Sequence, residues 1–204
     1  MNPGGSMADA WTLARGAPGW EGRLDMSAGA VFGSFWAVPL SLPAIALVHE
    51  VQRRAQLQEP GFADALANVS PVLVGVAAMV GALGAWAGSL LVLTALTRRS
   101  ASVEGWRVSP LLVGYNWSRL LANLVVGLAA AVAVGTGVLP LYAVGAAFGA
   151  GLALFLDIGI IRHALGLTLG RALGVFLVVL LARGVGMTLS GLILALGGAV
   201  PVAT

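Results

Sequence analysis

Five long apolar runs, separated by shorter polar segments, organise the 204-residue chain. They cover residues 28–49, 71–96, 111–137, 139–161 and 172–196. A helix needs roughly 20 apolar residues to cross about 30 Å of hydrocarbon, so each run predicts one transmembrane helix. Ser34, Pro39, Ser41 and Pro43 interrupt the first, and the second holds no charge. Arg119 and two asparagines lie in the first half of the third, while the fourth and fifth carry one charge each, Asp157 and Arg183. The expected fold class is an all-α integral membrane protein, a bundle of five transmembrane helices. It forms one domain over 28–200, preceded by a cytoplasmic tail at 1–27. Too little chain remains for a separate soluble domain.

The polar segments fit this reading. Residues 50–70 contain Glu50, Arg53, Arg54, Glu59 and Asp64, with Pro60-Gly61 as a turn signal. Residues 97–109 contain Arg98, Arg99, Glu104 and Arg107, and the fourth connection contains Arg162, His163 and Arg171. The connection at 135–140 is short and uncharged, predicting a tight antiparallel hairpin of spans three and four. Arginines in alternate segments set the orientation. Arg15, Arg23, Arg98, Arg99, Arg107, Arg162 and Arg171 fall on one side, and Arg53 and Arg54 on the other. That count puts the N-terminus in the cytoplasm and the uncharged end, 197–204, in the periplasm.

The first apolar run exceeds the core of about 7 to 15 residues found in signal peptides, so it reads as an uncleaved span. In the tail before it, Ser6-Met7-Ala8-Asp9 marks a helix start, and Met7, Trp11 and Ala14 recur at helical spacing. They predict a short helix in the headgroup layer anchored by Trp11 and Trp20; a tail without fixed structure is the alternative.

Composition narrows the classes. The chain is 59% hydrophobic and 9% charged, with a mean hydropathy of +0.96, whereas soluble domains carry roughly 25% charged residues. A water-soluble domain, a disordered chain and a disulfide scaffold are excluded. The absence of cysteine excludes thiolate metal sites, cysteine nucleophiles and cysteine-linked lipid anchors. All eleven basic residues are arginine, a bias expected of a GC-rich bacterial genome, which predicts a bacterial inner membrane as the location. The pI near 10.6 points to arginines beside anionic lipid headgroups and not to nucleic acid.

Charges inside lipid cost about 2.5–3.5 kcal/mol each on insertion scales, so Arg119, Asp157 and Arg183 attract attention first. At about 1.5 Å per residue, Asp157 lies about 7 Å from the cytoplasmic end of its span, Arg119 about 12 Å and Arg183 about 17 Å. Arginine side chains reach several ångströms along a helix, so the three can meet. Asn116, Arg119 and Asn123 fall at i, i+3 and i+7, and Gly127 and Val134 continue the stripe. Such a polar stripe must face protein or a water-filled cavity. Tyr115 and Trp117 flank it and read as interfacial belt residues. The candidate site is therefore a polar network of Asn116, Arg119, Asn123, Asp157 and Arg183. Asp157 would neutralise one arginine, leaving the other for an anion or a lipid headgroup. The alternative is an ion pair that only fixes helix register.

Other features carry less. His49 ends span one beside Glu50, but adjacent residues diverge on a helix, so it reads as a solvated helix end. His163, next to Arg162, reads as a headgroup contact. The two histidines fall on opposite sides, and neither metal nor cofactor is expected. Gly81, Gly84, Gly88, Gly145, Gly149, Gly166, Gly170 and Gly174 recur at three- and four-residue spacings, predicting close helix packing and, as a second reading, an oligomer face. Pro39 and Pro43 predict kinks in span one.

Thr188-Leu189-Ser190-Gly191 is similar to the serine motif of intramembrane proteases, but threonine replaces its first glycine and no intramembrane histidine accompanies it. Without lysine there is no Walker loop, and Asp157 has no second aspartate for paired-carboxylate chemistry. No enzymatic activity is expected. Trp11-Thr12-Leu13-Ala14-Arg15-Gly16, Asp25-Met26-Ser27 and Gly33-Ser34-Phe35-Trp36-Ala37 resemble the opening of uncharacterised bacterial inner-membrane proteins. In those, a Leu-Ala-Arg helix and an Asp-x-Ser turn lead into a first span with Ser-Phe-x-Ala; the resemblance implies no activity. Five spans with the N-terminus inside also resemble the topology of Yip1-type membrane proteins, without their acidic cytoplasmic motif. The expected function is that of a non-enzymatic subunit or scaffold acting through helix and lipid contacts, with a membrane-protein partner or a second copy. The alternative is a small transporter or permease component for an anionic or amphiphilic solute.

Overall fold

Asn2 starts the first helix, α1 (Pro3–Ala14): its side-chain oxygen accepts from the Gly5 N–H at 3.2 Å, and Pro3 has no N–H to leave unsatisfied. The helix thus begins before Ser6, whose hydroxyl donates to the Asn2 carbonyl instead. Helix α1 is docked on the bundle. Ala10 and Leu13 are fully buried and α1 packs on two of the long helices, with Trp20 buried beside it. The structure is a computed structural model that describes residues 2–58, 69–99 and 105–196. The Pro60-Gly61 turn, Glu59, Asp64, Glu104 and the end at 197–204 lie outside the described residues.

Span one is two helices, α2 (Ala28–Ser34) and α3 (Ala37–Gln56). Ser27 caps α2 by accepting from the Ala30 N–H at 3.1 Å. The Asp25 carboxylate accepts from the Ser27 N–H at 2.9 Å, and this bond holds its pKa below the usual carboxylate range. The Asp-x-Ser turn is therefore a local capping device. The helix breaks at Phe35-Trp36, ahead of both prolines. Pro39 offers no N–H to the Phe35 carbonyl, which accepts instead from Val38 at 3.1 Å in a tighter turn. Pro43 sits inside α3.

The remaining helices are α4 (Pro71–Arg99), α5 (Val108–Thr136), α6 (Leu139–Leu165) and α7 (Leu169–Leu196). Gly137 and Gly166, at φ +73° and +64°, end α5 and α6 in the left-handed conformation. The described residues contain no strand. Among the described residues, five stretches are long and apolar enough to cross a membrane: Ala28–Gln56, Val72–Arg98, Gly105–Thr136, Leu139–Leu165 and Leu169–Leu196. Most outrun the apolar runs because helical hydrogen bonding continues into the polar flanks. Their outer faces hold large apolar side chains such as Phe32, Leu181 and Leu196, at 75%, 72% and 81% exposure. So broad an apolar surface suits hydrocarbon and not water.

Helix α5 is the hub, packing on α1, α3 and α6, while α4 and α7 form an antiparallel pair. Glycines decide both pairings. Gly84 and Gly186 let α4 and α7 cross at backbone distance, with Gly81 opposite Ser190 and Gly88 opposite Ala182. In the α5–α6 hairpin Gly145 faces Ala129 and Gly149 faces Val126. Gly114 seats Leu13 of α1, and Gly159 lies against the Ala14 carbonyl. The expected ridge at Gly166, Gly170 and Gly174 does not pack: Gly166 terminates α6, and Gly170 and Gly174 face no neighbouring atom. Four-residue spacing makes a stripe, but the partner helix determines whether anything meets it.

Gly186→Val should therefore lower the stability of the chain by about 1–3 kcal/mol through overpacking. Gly174→Ala, in open space, should raise it by up to about 1 kcal/mol through helix propensity. Thermal unfolding in a neutral detergent distinguishes them, and equal effects would contradict the crossing.

Candidate functional site

The register that sets Val126 of α5 against Gly149 of α6 brings Arg119 opposite Asp157. Helix α7 adds Arg183 from the third side. Asp157 is wholly buried. Its Oδ2 accepts from Arg183 Nη2 at 2.7 Å and also pairs with Arg119 Nη2. Arg183 further donates from Nη2 and Nε to the Tyr115 hydroxyl, at 2.5 and 3.2 Å, and from Nε to Ser89 Oγ at 3.2 Å. Ser89 passes its own proton to the Ala85 carbonyl at 2.7 Å. The Tyr115 ring centre lies 5.3 Å from the Arg119 guanidinium carbon and 5.6 Å from that of Arg183, within cation–π range of both.

Tyr115 and Trp117 are thus core residues, 0% and 1% exposed, and not belt residues. Helices α1 and α2 pack over this end of α5. Asn116 belongs to a neighbouring relay: its Oδ1 accepts from Trp86 Nε1 at 3.0 Å and its Nδ2 donates to Ser34 Oγ at 2.8 Å. Ser34 in turn donates to the Val31 carbonyl at 2.7 Å. The relay ties α2, α4 and α5 together. Asn123, one turn beyond Arg119, hydrogen-bonds to no described residue and faces a cleft.

That cleft measures about 170 Å³ and opens between α3, α4 and α5. Arg119, Arg183, Asn116 and Asn123 line it, with Ser41 and Trp86 on the facing helices. The arginine side chains are 20% and 18% exposed. Two guanidiniums share one carboxylate, so the cluster carries one positive charge in excess. Arg119 Nε and Asp157 Oδ1 are buried with no hydrogen-bond partner. Helices α3 and α4 make little contact along this seam. Farther along it lies a second hollow of about 340 Å³, bordered by Met79, His49, Glu50 and Arg53; Ile45 lines both. Glu50 accepts from Arg53 at 2.8 and 3.0 Å and from Arg54 at 2.7 Å. His49 is half-buried there, not a solvated helix end, and its Nε2 has no partner.

The structure therefore brings Arg119, Asp157 and Arg183 together, puts Asn116 in the adjoining relay and leaves Asn123 on the cleft wall. Sequence reasoning missed Ser34, Trp86 and Ser89, and misplaced Tyr115. One signal was present: Tyr115 precedes Arg119 by four residues, which puts both on one helix face. Among the described residues no cluster could hold a metal ion. The fold and site define an all-helical chain with five helices fit to cross a membrane and a charged cluster in their apolar middle. Compared with family models, curated proteins and solved structures, the chain matches none.

Asp157→Asn, which leaves two buried arginines uncompensated, should cost about 3–5 kcal/mol. Adding Arg183→Gln should recover part of that loss, since neighbours in one network are non-additive. Strictly additive losses in thermal unfolding would contradict the shared carboxylate.

Proposed function

We infer that the chain is a multi-pass membrane protein of the bacterial inner membrane, its N-terminus inside. It binds the anionic head of an amphiphile in the cleft between α3, α4 and α5. One observation carries this reading: a single carboxylate serves two arginines, and both arginines reach the cleft. An ion pair that only fixed register would need one cation. A second costs about 2.5–3.5 kcal/mol in lipid, and a bound anion offsets that cost. Past Ile45 the seam is walled by Ala46, Gly75, Ala78 and Met79, which suit a hydrocarbon chain, before it reaches His49, Glu50 and Arg53. Charge and seam together support a carrier or permease component for an anionic amphiphile ahead of a scaffold acting through helix contacts. No residue in the cleft is assigned a catalytic role.

Dodecyl phosphate, titrated into the purified full chain in neutral detergent, should raise the midpoint of thermal unfolding. Arg119→Gln, which keeps the Asp157–Arg183 pair, should abolish the shift. A shift that persists in this variant, or no shift in the parent protein, would return the cluster to a purely structural role.

A further inference from the structure

A hollow lies on the outside of α6, at the end of the bundle that α1 occupies. Gly151, Leu154, Phe155, Ile158, Arg162 and His163 recur at three- and four-residue intervals and share one face of α6. The face changes character along its length, from apolar at Gly151 to basic at Arg162 and His163. Helix α1 borders it on one side, held by Ala14 against Gly159 and by Trp11 against Phe155, ring centres 5.5 Å apart. That docking sets Arg15, the residue capping α1, beside Arg162 and His163. Leu169, at the start of α7, closes the other side. The hollow so formed measures about 540 Å³.

Two features name the occupant. Arg15 and Arg162 are exposed and, among the described residues, pair with no carboxylate. Two cations thus line one hollow, where an anion would be attracted to both. Leu154, Phe155 and Leu169, each about half exposed, give an apolar wall directly beneath. From Gly151 to Arg162 the helix rises roughly 16 Å at about 1.5 Å per residue, close to the length of an acyl chain of a dozen carbons. Gly151 faces no neighbouring atom and leaves room for that chain. We propose that this groove binds an anionic phospholipid of the α1-side leaflet, its phosphodiester on Arg15 and Arg162 and one acyl chain along α6. Basic pockets beside membrane helices recognise such headgroups. The site is separate from the α3/α4/α5 cleft and stands whether or not that cleft binds a ligand.

The test titrates phosphatidylglycerol, phosphatidylcholine with the same chains, and inorganic phosphate into the full chain in neutral detergent, with bound lipid counted by native mass spectrometry. Phosphatidylglycerol should bind at least roughly ten-fold tighter than phosphatidylcholine, and inorganic phosphate should not displace it at equal concentration. Each arginine contributes about five-fold near a charged surface, so Arg15→Gln with Arg162→Gln should weaken binding roughly 25-fold. Gly151→Phe should also weaken it, by filling the chain groove with both arginines in place, and decides the matter if the double variant does not accumulate. With the α3/α4/α5 cleft silenced by Arg119→Gln, phosphatidylglycerol should still bind in this groove. Equal binding of the two lipids, displacement by inorganic phosphate, or wild-type affinity in the double and Gly151→Phe variants would overturn the site. Loss of the lipid in Arg119→Gln would also overturn it, assigning the lipid to the other cleft.

Discussion

Asp157 is the point on which the helices converge. A carboxylate with no access to water must be compensated, and here compensation comes from two other helices at once. Arg119 fixes the α5–α6 register at that level, and Arg183 ties α7 to the same oxygen. Through Ser89 and Tyr115 the Arg183 guanidinium also reaches α4 and α5. An apolar interface alone would let these helices slide, because lipid tails are as apolar as leucine and give side chains no reason to prefer protein. Directional polar contacts supply the register, and glycines supply the approach distance.

The same cluster is unevenly charged. Compensation is incomplete in one direction: the carboxylate has two cations, while the cations have one anion. The surplus points to the seam where α3 and α4 diverge, not into a packed interface. Tyr115, near both guanidiniums and hydrogen-bonded to one, offers them its ring face and hydroxyl. Placement of the surplus thus separates a polar site with room for an anion from a closed structural pair.

The fold leaves two cation-lined hollows of opposite design. The α3/α4/α5 cleft holds its cations among the helices, at 20% and 18% exposure. The groove on α6 shows its cations at the bundle end and an apolar wall below, the order of charge and hydrocarbon in a lipid. Helix α1 borders the second directly, since its docking on Gly114 and Gly159 carries Arg15 to the hollow that Arg162 also lines.

The number of long helices, their order, and the presence of three ionisable residues in apolar stretches were legible from the sequence. Those features depend on local quantities: hydropathy over a span length and the cost of a charge in hydrocarbon. The meeting of Arg119, Asp157 and Arg183 was legible too, because depth along a helix is a residue count times a fixed rise. What the tertiary structure decided was rotation and neighbourhood. Spacing could not separate the packed Gly81, Gly84 and Gly88 from the unpacked Gly170 and Gly174, nor reveal Gly186 as the crossing point. It likewise could not bury Tyr115 and Trp117, because their burial depends on α1 and α2 lying over α5. Periodicity gives each helix its faces; only packing determines what each face meets.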